Sequence, residues 1–143
     1  MPDQLARVLS DCLGSRVAWF LARLLLVGAY VVGGITKLAD WPAAVAEQAY
    51  FGMSPPAVWA ILTIAVELVG AGLILSGRLV WLGAGLLGGF TLVAAFVAND
   101  FWTMADEARF HAVNAFFEHL GLVGAFILAA RLAPPRPVIS ADG

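Results

Sequence analysis

The sequence predicts an all-α integral membrane protein, a four-helix bundle running up-down-up-down, and three observations predict it. Of 143 residues, 62% are hydrophobic and only 13% charged, whereas soluble domains carry roughly 45–50% apolar and 25% charged residues. Four apolar stretches, residues 17–36, 57–75, 79–98 and 112–130, are each long enough to cross roughly 30 Å of hydrocarbon at about 1.5 Å per residue. All five tryptophans, Trp19, Trp41, Trp59, Trp81 and Trp102, fall at or just outside the ends of these stretches, where an indole settles among lipid headgroups.

The elements follow in chain order. Residues 1–16 form a polar N-terminal segment. The first span, 17–36, holds one charge, Arg23; its apolar run exceeds the core of a signal peptide and no small-x-small cleavage site follows, so it is expected to be a retained helix. Asp40 can cap a short interfacial helix that Trp41 and Pro42 begin and Gly52 closes, and Ser54-Pro55 offers a cap and first-turn proline to the second span. That span, 57–75, contains Glu67. Only Ser76, Gly77 and Arg78 separate it from the third, 79–98, so the two must form an antiparallel hairpin. The fourth span, 112–130, carries Glu118 beside His119. Residues 131–143, rich in proline, have little to bury and are expected to be a mobile tail. Residues 17–130 thus make one transmembrane domain, and no second globular domain is expected. Gly28, Gly33, Gly34, Gly70, Gly72, Gly85, Gly88, Gly89, Gly121 and Gly124 spread small residues over every span, which lets helices approach in lipid; Gly85 and Gly89 make a GxxxG pair.

Charge sets the orientation. With four spans both termini share a side, and that side holds Arg7, Arg16, Arg78, Arg131 and Arg136 against Lys37 and Arg109 opposite, which predicts cytoplasmic termini. The net charge of −2 and the scattered basic residues give no footprint for nucleic acid. The single cysteine, Cys12, forms neither an internal disulfide nor a CxxC redox pair.

Ionisable groups within spans cost about 2.5–3.5 kcal/mol each on insertion scales, so they tend to face the bundle and pair. Arg23 lies six residues above the cytoplasmic start of its helix and Glu67 eight residues above the cytoplasmic end of its own, depths of roughly 9 and 12 Å. The two are therefore expected to pair, either as a structural bolt or as the floor of a polar pocket for a headgroup or a proton. Glu118 and His119 are adjacent and point about 100° apart, so one can face the bundle while the other addresses a neighbour. At the outer mouth of the third span, Asn99, Asp100 and Trp102 combine polar groups with an aromatic ring, and Lys37 can reach the same surface; an interfacial belt explains these residues without a ligand. A pocket is expected on the outer side of the Arg23–Glu67 pair, bounded by Glu118 or His119 and opening towards Trp102. His111 and His119 stand about 12 Å apart along one helix and cannot ligate one haem. No metal site is expected, since no His/Cys cluster exists.

The chain resembles the DoxX family, with its DoxD and MauE-like relatives, small bacterial four-helix membrane proteins. The resemblance covers roughly residues 23–130. It rests on Arg23-Leu24-Leu25-Leu26 followed by Gly34-Ile35-Thr36-Lys37-Leu38, on Phe51-Gly52-Met53-Ser54-Pro55-Pro56, on Glu67-Leu68-Val69-Gly70 with Ser76-Gly77-Arg78, and on Asp100-Phe101-Trp102. Where many relatives have a Lys-Asn pair, this chain has Glu118-His119. The resemblance implies a multi-pass protein of the bacterial inner membrane that supports a redox or respiratory-type complex, as an oxidoreductase subunit rather than an autonomous enzyme, with quinone or quinol held in the bundle. A non-enzymatic assembly, packing or lipid-binding subunit is the alternative, and a small transporter or proton pathway is a third.

Overall fold

The computed structural model describes residues 2–133 and is all-helical over them. The elements are α1 (Pro2–Leu13), α2 (Arg16–Ala39), α3 (Trp41–Tyr50), α4 (Pro56–Ser76), α5 (Val80–Ala98), a 3-10 turn at Phe101–Thr103, and α6 (Asp106–Leu132). Four of these, α2, α4, α5 with the following turn, and α6, are long and apolar enough to cross a membrane. Of the expected tail, residues 131–143, Arg131 and Leu132 instead form the last residues of α6, and residues 134–143 lie outside the described residues.

Local chemistry sets the boundaries. Ser15 accepts a hydrogen bond from the Ala18 amide and starts α2; Asp40 ends α2 and, through its carboxylate and the Ala43 amide, starts α3. The cap expected from Ser54 is not made: Pro55 occupies the N-cap position of α4 without a side-chain bond, and Pro56 is the first-turn proline. Proline suits that position because the amide it lacks would have no helical partner. Gly77, with φ of 71°, closes α4 in the left-handed conformation and turns the chain into α5. The polar N-terminal segment forms a helix, α1, whose Gln4, Arg7, Ser10 and Asp11 are exposed. At the other end of the chain α6 starts at Asp106, six residues before the expected span, because Asp106 and Glu107 favour a helix N-terminus just as Arg131 favours its last turn.

Chain neighbours pack on one another: α2 on α4, α4 on α5, α5 on α6, with α3 laid against α4. Two ends result, a hairpin end at Gly77 and a loop end beneath α3. The core joins Val27 and Tyr30 of α2, Ala71 and Ile74 of α4, Val80, Ala84 and Leu87 of α5, and Phe126 of α6. Tyr30 spans the bundle. Its ring stands 5.6 Å from that of Phe126, and its hydroxyl lies 2.5 Å from Thr91 Oγ1. Since Thr91 donates its one hydrogen to the Leu87 carbonyl at 2.6 Å, Tyr30 is the donor in that pair.

Small residues do bring the backbones together, but not all at the expected places. A methyl on Gly83 would stand 2.6 Å from the Gly70 carbonyl, and one on Gly34 would stand 2.6 Å from Leu68 Cδ2. Nothing lies within 4 Å of such a methyl on Gly28, Gly85 or Gly89. The GxxxG pair faces outwards, and the close crossing of α4 with α5 is made by Gly70 and Gly83.

Candidate functional site: an amphiphilic cavity at the loop end

Near the loop end the helices enclose a cavity of about 460 Å³, within the range of small-molecule sites. Lys37 and Glu67 form its charged wall. The Lys37 ammonium donates to both oxygens of the Glu67 carboxylate, at 3.1 and 3.4 Å, and lies 3.8 Å from Glu47 Oε2. The Glu67 side chain is only 7% exposed and that of Lys37 17%.

Helix geometry explains this pairing. Side chains on a helix tilt towards its N-terminus. Glu67, on α4, leans towards the loop end, whereas Lys37, near the end of antiparallel α2, leans down towards Glu67. Gly33, one turn before Lys37, gives the pair room, since a methyl there would touch both carboxylate oxygens and Lys37 Nζ at 3.4–3.5 Å.

The expected Arg23–Glu67 pair does not form. Gly33 is level with Glu67, and Arg23 lies ten residues, about 15 Å, nearer the start of α2, with its side chain tilted away from Glu67. Arg23 instead donates from Nε to the Trp19 carbonyl at 3.2 Å and from Nη1 to the Ile74 carbonyl at 3.5 Å. Depths counted from sequence boundaries placed the two on one level, but α2 and α4 are offset.

On α6 the choice between adjacent residues resolves cleanly. His119 lines the cavity, while Glu118 is exposed on the outer surface. His119 Nδ1 stands 2.7 Å from the Ala115 carbonyl; a carbonyl only accepts, so Nδ1 carries a proton and a neutral ring has Nε2 as its acceptor.

Asn99, Asp100 and Trp102 lie outside the cavity. Asn99 is buried at the end of α5 with its amide nitrogen unpartnered among the described residues. Asp100 accepts from the Thr103 hydroxyl at 2.8 Å. Trp102 packs with Phe96, Phe101 and Phe116 at centroid separations of 5.2–6.3 Å, fixing the turn on α6. The tryptophan at the cavity is Trp59, and with it Leu62 and Val93 form an exposed apolar rim.

Two wall residues escape the sequence reading. Gln48 and Thr63, each 8% exposed, line the cavity and have no side-chain partner among the described residues. A signal for Gln48 existed: Ala44 and Gln48 stand four apart on the buried face of α3.

The DoxX family model matches residues 18–100, more than half of the chain. The chain belongs to the DoxX family. The match covers α2 to α5, including Lys37 and Glu67, and stops before α6. The inner membrane protein YphA of Escherichia coli (strain K12) is 27% identical over 118 residues, which cover 82% of this chain and 84% of YphA. No solved structure matches significantly. With its four candidate spans, this DoxX protein is a multi-pass inner-membrane protein.

Proposed function

We propose that this DoxX protein holds a quinone or quinol in the loop-end cavity and serves as a membrane subunit of a redox complex. The observation that carries the reading is the pairing of an apolar cavity with a few convergent polar groups. Phe90, Val93, Val97 and Leu62 supply apolar walls, and Lys37, Glu67, His119, Gln48 and Thr63 supply the polar ones. A ring with oxygens at opposite edges and an apolar tail matches that division. The Lys37 ammonium can donate to a quinone carbonyl, and Nε2 of His119, the nitrogen not engaged by the Ala115 carbonyl, faces a quinol hydroxyl as its partner. Apolar Trp59, Leu62 and Val93 at the rim suit entry from the hydrocarbon.

Glu118 favours a subunit role. It lies at the middle of α6, exposed and without a hydrogen bond or ion pair among the described residues, with exposed Asn114 one turn away. A carboxylate facing lipid at that depth costs about 2.5–3.5 kcal/mol, which a donor on a partner helix would offset. We place the hairpin end, with Arg16, Arg78 and Arg131, in the cytoplasm.

Purification from native membranes in mild detergent, with mass spectrometry of co-purifying lipids and proteins, tests both parts. Quinone and a redox partner are expected. A pure protein carrying neither contradicts the proposal.

A further inference from the structure

A second cavity, of about 480 Å³, lies at the opposite, hairpin end, lined by Arg16, Arg23, Trp19, Val80, Ala129 and Leu132 among others. Among the described residues, two guanidinium groups and no carboxylate border it, and neither arginine forms an ion pair. Arg23 is half-buried, and two backbone carbonyls accept hydrogen bonds from it. Its Nη1 lies against Gly77, which has no side chain to displace it, and its bonds to the Trp19 and Ile74 carbonyls use only two of its five N–H donors. Three donors remain for an acceptor. Arg16, about two turns earlier on α2, is exposed and lines the same cavity.

We propose that this cavity binds the phosphodiester headgroup of an anionic phospholipid, Arg16 and Arg23 clamping the phosphate while an acyl chain lies along Val80, Ala129 and Leu132. Guanidinium groups suit phosphate because their planar donors engage its oxygens in pairs. Trp19, an exposed indole beside the arginines, belongs at the depth of the glycerol backbone. The apolar walls select a lipid over a free anion, because inorganic phosphate would leave them wet. The site is separate from the loop-end cavity and stands whether or not a quinone binds there.

Native mass spectrometry and thermal unfolding of the full chain in mild detergent provide the test, with short-chain phosphatidylglycerol, phosphatidylcholine and inorganic phosphate as probes. Phosphatidylglycerol is expected to bind and raise the unfolding temperature, at least tenfold more tightly than phosphatidylcholine, with phosphate alone inert at the same concentration. Arg16→Gln, on an exposed position, should weaken phosphatidylglycerol binding three- to tenfold, and Arg16→Gln with Arg23→Gln more so. Arg78→Gln, at the same end but outside the cavity, should leave it unchanged. Equal binding of the two lipids, a response to phosphate alone, or loss in Arg78→Gln equal to that in Arg16→Gln would each overturn the assignment.

Discussion

Lys37 reaches back along α2 to place its ammonium 3.1 Å from Oε1 of Glu67, joining the end of one span to the middle of its antiparallel neighbour. This ion pair is the charged wall of the loop-end cavity, and the Glu67 carboxylate depends on it. Removing one partner strands the other in a medium that solvates charge poorly. Lys37→Met or Glu67→Leu alone is therefore expected to destabilise the protein by about 3 kcal/mol, and the double substitution by less than the sum. A double-mutant cycle on detergent unfolding measures this coupling, and additive single effects would contradict it. Glu47, 3.8 Å away with a side chain 44% exposed, should matter less: Glu47→Gln is expected to cost under about 1 kcal/mol.

Exchanging Arg23 and Glu67 tests the separation of those residues. Arg23→Glu with Glu67→Arg should be no more stable than the worse single variant, because the two occupy different levels of the bundle. Thermal unfolding of the exchanged protein beside each single variant measures this, and rescue by the exchange would show them in contact.

What the sequence made legible, and what it did not, divides along physical lines. Span number, the tight α4–α5 hairpin and the short α3 all follow from hydropathy length and capping chemistry, which are local. The partner of Glu67 is not local. It depends on the offset between α2 and α4 and on side-chain tilt, so only the placement of the helices separates Lys37 from Arg23. The same holds for glycine: Gly83 and Gly85 look alike in sequence, and only packing tells that Gly83 meets the Gly70 carbonyl. His119 and Glu118 must diverge by about 100° on any helix, but which one faces inwards is set by the rotation of α6.

The α4–α5 crossing should be intolerant of even a small side chain at its contact point. Gly83→Ala is expected to cost about 1–3 kcal/mol, since backbone must move to admit the methyl. Gly85→Ala, with open space around it, should be neutral. Thermal unfolding of the two variants side by side checks this, and equal effects would refute the packing role given to Gly83.

Orientation is open to labelling. Cys12 is exposed in α1, and Asp106→Cys in a Cys12→Ser background reports the loop end. An impermeant maleimide applied to the periplasmic face should label the thiol introduced by Asp106→Cys and, in the unsubstituted protein, spare Cys12. The reverse pattern would invert the protein, and labelling of both from one side would break the four-span topology.

The central claim, that the Lys37–Glu67 cavity takes up a quinone-like ring, is tested most directly by fluorescence titration with a short-chain benzoquinone. Trp59 lines the cavity, so saturable quenching is predicted, with its amplitude sharply reduced in Trp59→Phe and its affinity lowered at least tenfold in Lys37→Met that retains its helical content. Quenching that does not saturate, or that is the same in the folded Lys37→Met protein as in the wild type, would contradict the account.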